Sequence, residues 1–206
     1  FTGGKDHQVF MVTSSIPGEG KSFTTLNLAT VFAMAGKKTI IVGADLRKPK
    51  LFDDLNLHNK TGLSQYLSGL ANLDDVTQIS EIPNLAFIAG GPVPPNPSEL
   101  LIQPIMAELI QQLKEVYDFV IIDTPPMSYV TDAFILSAYA DHSLFVIRQD
   151  FTPRAAVAAL EEQYSAGKLD RVSLLFNDVR KTGMGYGYGQ GYGYGYGYNY
   201  GYGYGR

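Results

Sequence analysis

Near-continuous apolar and β-branched runs recur along the chain at Val9 to Thr13, Thr39 to Val42, Leu85 to Ala89, Phe119 to Ile122, Ser143 to Ile147 and Ser173 to Phe176. Runs of this length and composition predict buried strands. Between them the apolar spacing changes to three and four residues. Helices are predicted over Ser22 to Ala35 with Gly36 as the stop, Gln103 to Val116, and Pro153 to Ala166 closed by Gly167. Alternating strands and helices, with strands apolar on both faces, predict an α/β fold with a mostly parallel β-sheet flanked by helices on both faces. Ligands of such sheets bind at the carboxyl ends of the strands, so the functional loops should follow strands.

Other segments lack either period. Pro92-Val-Pro-Pro-Asn-Pro97 reads as a surface connector, and Ser98 is expected to cap a short helix beginning Ser98-Glu-Leu-Leu. The irregular stretch from Lys48 to Asn59 is long enough to form part of a cleft wall. After Lys181 almost every second residue is glycine, no aliphatic side chain follows Met184, and nine of the fourteen tyrosines gather there. Such a segment cannot build a core. It predicts one compact domain over residues 1–180 and a flexible, disordered Gly/Tyr-rich C-terminal tail over 181–206.

Composition narrows the partners. The net charge of −4 is mild and the Lys and Arg residues are scattered, which argues against nucleic acid. No apolar run approaches the ~20 residues of a bilayer-spanning helix, so this fragment is expected to be soluble. The absence of cysteine removes disulfides and thiolate metal sites and fits a cytoplasmic address. The chain opens at Phe1-Thr-Gly-Gly without an initiator Met, which suggests a domain excised from a longer protein.

The first chemistry-bearing motif is Thr13-Ser-Ser-Ile-Pro-Gly-Glu-Gly-Lys-Ser22, which follows a predicted strand and opens a predicted helix. This is the context of a phosphate-binding loop. Successive N–H groups and a helix N-terminus present positive charge to phosphate oxygens, Lys21 reaches the β and γ phosphates, and the Ser22 hydroxyl ligates Mg²⁺. The nucleotide-binding candidates are therefore Pro17, Gly18, Glu19, Gly20, Lys21, Ser22 and Phe23. The strict pattern has glycine where Ser15 stands. A tight turn that happens to contain Gly, Lys and Ser is the plain alternative.

Two further strands end in carboxylates, Thr39-Ile-Ile-Val-Gly-Ala-Asp45 and Phe119-Val-Ile-Ile-Asp123. Each aspartate alone could be a strand-end turn. Parallel strands bring both to the sheet edge of the phosphate loop, where Mg²⁺ bound to nucleotide needs oxygen ligands, making Ser22, Asp45 and Asp123 the metal candidates. Arg47 and Lys48 are secondary candidates for holding phosphate or substrate, or else a solvated turn. Asp132 could face the site or simply begin a helix. Asn177, after the last strand, is a candidate for pairing with the purine edge.

On these residues the chain resembles the bacterial tyrosine kinases of the exopolysaccharide and capsule export type. Ser-Ser-Ile-Pro-Gly-Glu-Gly-Lys-Ser is similar to that family's Walker A motif, Ala-Asp-Leu-Arg-Lys-Pro to its Walker A′ and Ile-Ile-Asp-Thr-Pro-Pro to its Walker B. A C-terminal tyrosine cluster completes the likeness. The resemblance implies a P-loop NTPase fold and ATP with Mg²⁺ as cofactors. It implies catalytic roles for Lys21, Asp45 and Asp123, and phosphorylation of Tyr186, Tyr188, Tyr192, Tyr194, Tyr196, Tyr198, Tyr200, Tyr202 and Tyr204. It further implies a homo-oligomeric ring, a membrane activator region outside this fragment, a tyrosine phosphatase that resets the tail, and a place at the cytoplasmic face of the bacterial inner membrane. Many relatives carry aspartate where this chain has Gly43, so here the Walker A′ role falls on Asp45 alone.

A phosphoryl-transfer enzyme mainly aligns and neutralises charge. The acceptor tyrosine, with a pKa of about 10, loses its proton as it attacks, and Asp45 is the candidate acceptor, with pure Mg²⁺ binding as the alternative role. A Gly-rich tail of this length spans roughly 28 Å root-mean-square, enough to reach a neighbouring active site. Each phosphate adds about −1.5 to −2 charges, which would make tails repel and loosen an oligomer. Two other readings compete. A positioning ATPase of the MinD and ParA kind shares the fold but carries an extra lysine near the loop start, where this chain has Ile16. A nonenzymatic scaffold with an adhesive aromatic tail predicts a degraded nucleotide site.

Overall fold

The computed structural model describes residues 8–49, 57–127, 131–169 and 171–180. Seven strands form one sheet: β1 (Val9–Ser14), β2 (Thr39–Gly43), β3 (Thr77–Ile79), β4 (Leu85–Ile88), β5 (Phe119–Asp123), β6 (His142–Arg148) and β7 (Val172–Asn177). Their order is β3-β4-β2-β5-β1-β6-β7. Every pairing is parallel except β3 with β4. The expected mostly parallel α/β sheet is thus present. Its strand order changes direction beside β1, where a crevice opens at the carboxyl ends.

The period of two along each strand divides the core into two layers. Val12, Ile41, Phe87, Ile121 and Val146 pack on one face with Ala29 and Ala33 of α1 (Lys21–Met34). Met11, Ile40, Val42, Ile88, Val120 and Ile122 pack on the other, where they meet Leu101, Met106, Leu109, Leu113 and Leu136. These last residues come from α4 (Pro97–Leu101), α5 (Pro104–Val116) and α6 (Asp132–Ser137). Toward the β7 edge, Phe145 and Ile147 pack with Leu160 of α7 (Arg154–Ser165). No helix among the described residues is long and apolar enough to cross a membrane.

The structure departs from expectation in four places. β3 was invisible because Thr-Gln-Ile carries no apolar run, and α2 (Leu63–Leu67), α3 (Leu73–Val76) and α6 are too short to show a helical period. β7 is not buried: Leu174 and Phe176 lie in register with Phe145 and Ile147, on the face that α7 covers, and are exposed at the sheet's outer edge. Ser98 does not cap α4. The helix begins at Pro97 with Asn96 in the cap position, since proline suits a first turn and has no N–H to satisfy. The stretch expected as a cleft wall, Lys48 to Asn59, lies largely outside the described residues, as does the tail.

Backbone segments pack against one another with no side chain between them where β2 and β4 end. A Cβ on Gly62 would lie 2.3 Å from the Ala89 carbonyl oxygen and 2.5 Å from the Gly91 nitrogen. Both atoms are backbone and Leu63 N–H donates to that same carbonyl at 2.7 Å, so the neighbours have little room to move. Gly62→Ala is expected to cost about 2 kcal/mol of stability, read as a lowered urea midpoint with unchanged slope.

Candidate active site

The turn from β1 into α1 forms a loop in which Gly18 and Gly20 take left-handed conformations, with φ of 88° and 92°. Other residues adopt these angles only at a cost, so the two glycines give the loop its curl. Gly20 stands at the N-cap of α1. No side chain caps that end and no acidic residue occupies its first turn. The N–H groups and dipole of a 14-residue helix are therefore presented at the loop with no acidic side chain of the helix's own first turn against them.

Beneath the loop lies Asp123, the last residue of β5. The register pairs it with Val12 of β1 on one side and Gly43 of β2 on the other, so it sits at the centre of the sheet's carboxyl edge. Lys21 Nζ contacts Asp123 Oδ1 at 3.2 Å, Thr25 Oγ1 donates to the same oxygen at 3.1 Å, and Ser22 Oγ donates to Oδ2 at 3.3 Å. Burial holds the Asp123 carboxyl above the ordinary carboxylate range. The Lys21 ammonium and the Thr25 hydroxyl pull in the opposite direction, and the charge of Asp45 adds to the rise. A buried carboxylate facing a lysine and a hydroxyl is a donor set that a hard cation would satisfy.

Asp45, two residues past β2, closes a turn: its Oδ1 accepts from the N–H groups of Arg47 at 3.2 Å and Lys48 at 3.0 Å. This fixes the carboxylate at the mouth of a cleft of about 330 Å³. Ser14, Pro17, Gly18, Gly20, Lys21, Ser22, Phe23, Asp45, Lys48 and Asp123 line that cleft. Its size suits a small polar ligand such as a nucleotide. Among the described residues no three His, Cys, Asp or Glu side chains gather around a metal position. Two carboxylates and a hydroxyl match the way Mg²⁺ is held when phosphates supply its other ligands.

Glu19 and Asn177 behave differently from the remaining candidates. The Glu19 side chain is fully buried and accepts from Ser15 Oγ at 2.6 Å, from Ile16 N–H at 2.8 Å and from the Thr152 hydroxyl. Asn177 Nδ2 donates to the Glu19 carbonyl at 3.0 Å and neither side chain lines the cleft. Arg47, exposed in the turn after β2, is ion-paired. Its guanidinium forks onto Asp132 at 2.8 and 3.2 Å and donates to Ser98 Oγ at 2.8 Å, while Ser98 donates to Asp132 at 2.5 Å. Asp132 begins α6, fully buried. The nine tail tyrosines, Tyr186 to Tyr204, lie outside the described residues.

Three contributors escaped sequence reasoning. Thr25 stands one helical turn after Lys21, a spacing that could have placed it on the same face. Arg148 ends β6 and Thr152 lies in the β6–α7 connection, and the β1–β6 pairing brings both to the loop. Arg148 Nη1 donates to the Gly18 carbonyl at 2.9 Å, its guanidinium pairs with Asp178, and it lies 5.1 Å over the Phe151 ring.

The profile of the AAA domain family matches residues 8–162. Tyrosine-protein kinase YwqD of Bacillus subtilis is 41% identical over 167 residues, which is 81% of this chain and 70% of that protein. A putative tyrosine-protein kinase from the cps region of Klebsiella pneumoniae is 37% identical over 176 residues, 85% of this chain; there the chain spans only 24% of the relative's length. The kinase domain of the Escherichia coli tyrosine kinase ETK superposes with a TM-score of 0.82 at 32% identity, covering 91% of this chain and 74% of that structure. MinD of Pyrococcus horikoshii shares the fold at a TM-score of 0.67 but only 21% identity.

Truncation of Asp132 to alanine leaves the Arg47 fork and the Ser98 hydroxyl without their acceptor. With Arg47 partly exposed, the expected loss is about 2 kcal/mol by urea unfolding, below the range for fully buried pairs.

Proposed function

The chain belongs to the bacterial tyrosine-protein kinases built on an AAA domain, and from that premise we propose that it moves the γ-phosphoryl group of ATP onto tyrosines of its own C-terminal tail. The observation that carries this reading is the joining of two features on one chain. One is the Lys21, Ser22 and Asp123 cluster beneath an uncapped helix N-terminus. The other is a tail whose acceptor residue recurs nine times with glycine between. Residues 1–180 are read as the catalytic domain and 181–206 as its substrate.

The division of labour follows from the geometry. The loop N–H groups and Lys21 orient and neutralise the transferring phosphates, which is most of what phosphoryl transfer asks of a protein. Mg²⁺, when bound at Ser22, Asp45 and Asp123, supplies further charge neutralisation. The tyrosine oxygen forms its bond to phosphorus as the bond to ADP breaks, and the phenolic proton passes to Asp45, which lines the same cleft. One Asp45 oxygen is already engaged by its own turn, which holds the carboxylate in place. Asn177 stands close enough to the loop to help hold the nucleotide, as do Glu19 and Phe23 through the loop itself.

The tail's reach favours transfer between neighbouring copies in a homo-oligomeric ring. Capsule or exopolysaccharide polymerisation and export would be the regulated process, at the cytoplasmic face of the inner membrane. An activator region and a tyrosine phosphatase complete the cycle. The competing reading, a switch ATPase of the MinD kind, shares the fold. Against it stands Ile16 in the position of that group's extra lysine, its N–H turned to Glu19.

Intact mass of the full chain after incubation with Mg·ATP tests the proposal. Stepwise phosphate additions mapping beyond Lys181 are expected, reduced on the order of a hundredfold in Lys21→Met. ATP consumption without any gain in mass would replace the kinase by the switch ATPase.

A further inference from the structure

Two consecutive loop residues, Gly18 and Glu19, are gripped from outside the loop, and the grips share one geometric effect. Arg148, at the end of β6, donates to the Gly18 carbonyl at 2.9 Å. Asn177, at the end of β7, donates to the Glu19 carbonyl at 3.0 Å. In a trans peptide the carbonyl of one residue and the N–H of the next point in opposite directions. Pulling the Gly18 carbonyl toward Arg148 therefore turns the Glu19 N–H away from Arg148, and pulling the Glu19 carbonyl toward Asn177 turns the Gly20 N–H away from Asn177. The residues on either side of Glu19, Gly18 and Gly20, line the cleft, whereas Asn177 does not.

The Glu19 side chain locks the same unit. Its fully buried carboxylate ties Ser15 and Ile16 at the start of the loop to Thr152 in the β6–α7 connection. The Thr152 hydroxyl in turn accepts from the Arg148 N–H at 2.9 Å, so the clamp on Glu19 and the clamp on Gly18 share one segment. Space is tight enough that a Cβ on Gly20 would fall 2.0 Å from Asn177 Nδ2. The φ of 92° favours glycine at this position, and any larger residue would also displace the amide packed against it.

We propose that Arg148, Asn177 and the Glu19–Thr152 pair are positioning residues that aim the Glu19 and Gly20 N–H groups at phosphate, so that phosphate affinity is set by the β6 and β7 ends as well as by the loop. This rests on the nucleotide reading of the cleft. It assigns the Asn177 amide to loop geometry in place of purine recognition, and a base-free ligand separates those roles. An aiming residue acts on any polyphosphate, whereas a purine contact acts only when the base is present.

Calorimetric titration of the full chain with Mg·ATP and with Mg·tripolyphosphate is the test, on the wild type and on Asn177→Ala, Arg148→Lys, Thr152→Val and Thr152→Ser. Asn177→Ala, Arg148→Lys and Thr152→Val are each expected to weaken both ligands by the same factor, about tenfold. Thr152→Ser, which keeps the hydroxyl, should bind both as the wild type does. In turnover, KM for ATP should rise more than kcat falls. A loss confined to ATP would assign Asn177 to the base and overturn the proposal. So would variants that bind like the wild type, or affinity that falls only in step with the folded fraction measured on the same samples. A wild type that binds neither ligand would overturn the nucleotide reading itself.

Discussion

The arrangement depends on one buried carboxylate. Asp123 ends the central strand with hydrogen-bonded neighbours on both sides, and it accepts from Lys21, Ser22 and Thr25, all on the first turn or so of α1. Removing a carboxylate from water is costly unless charge and donors replace the water. Here the replacement comes from the phosphate-loop lysine and hydroxyls themselves. The sheet therefore fixes the helix, and the helix fixes the loop, through the group that a bound cation would also need. Burial lifting the Asp123 carboxyl above its usual range shows that these donors do not fully offset desolvation. A divalent cation would offset more of it, which couples ligand binding to relief of a cost already present in the fold.

Around that centre the supports divide by origin. Those from β1, α1, β2 and β5 were legible in the sequence because each is a strand end or helix start next to a recognisable motif: Lys21, Ser22, Asp45 and Asp123 all occupy the cleft. Supports from farther along the chain were not. Arg148 and Thr152 belong to no motif, and their relation to the loop exists only because β6 lies beside β1 in parallel register. Arg47 looked like a turn cation and is instead half of a fork onto Asp132, which the sequence could place only as a helix start. Local periodicity reveals elements, whereas the pairing of distant polar groups depends on strand order.

The edges of the sheet were read least well, for a related reason. β3 is three residues without an apolar run, and β7 has the composition of a buried strand while facing solvent. Composition reports what a strand could bury; what covers it depends on helix placement. α1 crosses β1, β2, β4 and β5 and leaves β6 and β7 to α7 on the opposite face. Leu174 and Phe176 share the α7 face with Phe145 and Ile147 and stay exposed at the outer edge.

Gly43 shows how packing limits the chemistry. In this chain a Cβ at Gly43 would meet the Gly90 nitrogen at 3.2 Å and the Ile88 carbonyl oxygen at 3.3 Å. Gly90 is confined in turn, since its own Cβ would lie 2.9 Å from Pro49 Cβ. A side chain at 43 would therefore need the backbone at the end of β4 to give by a few tenths of an ångström. The single Walker A′ carboxylate and the close approach of β2 to β4 are one structural choice.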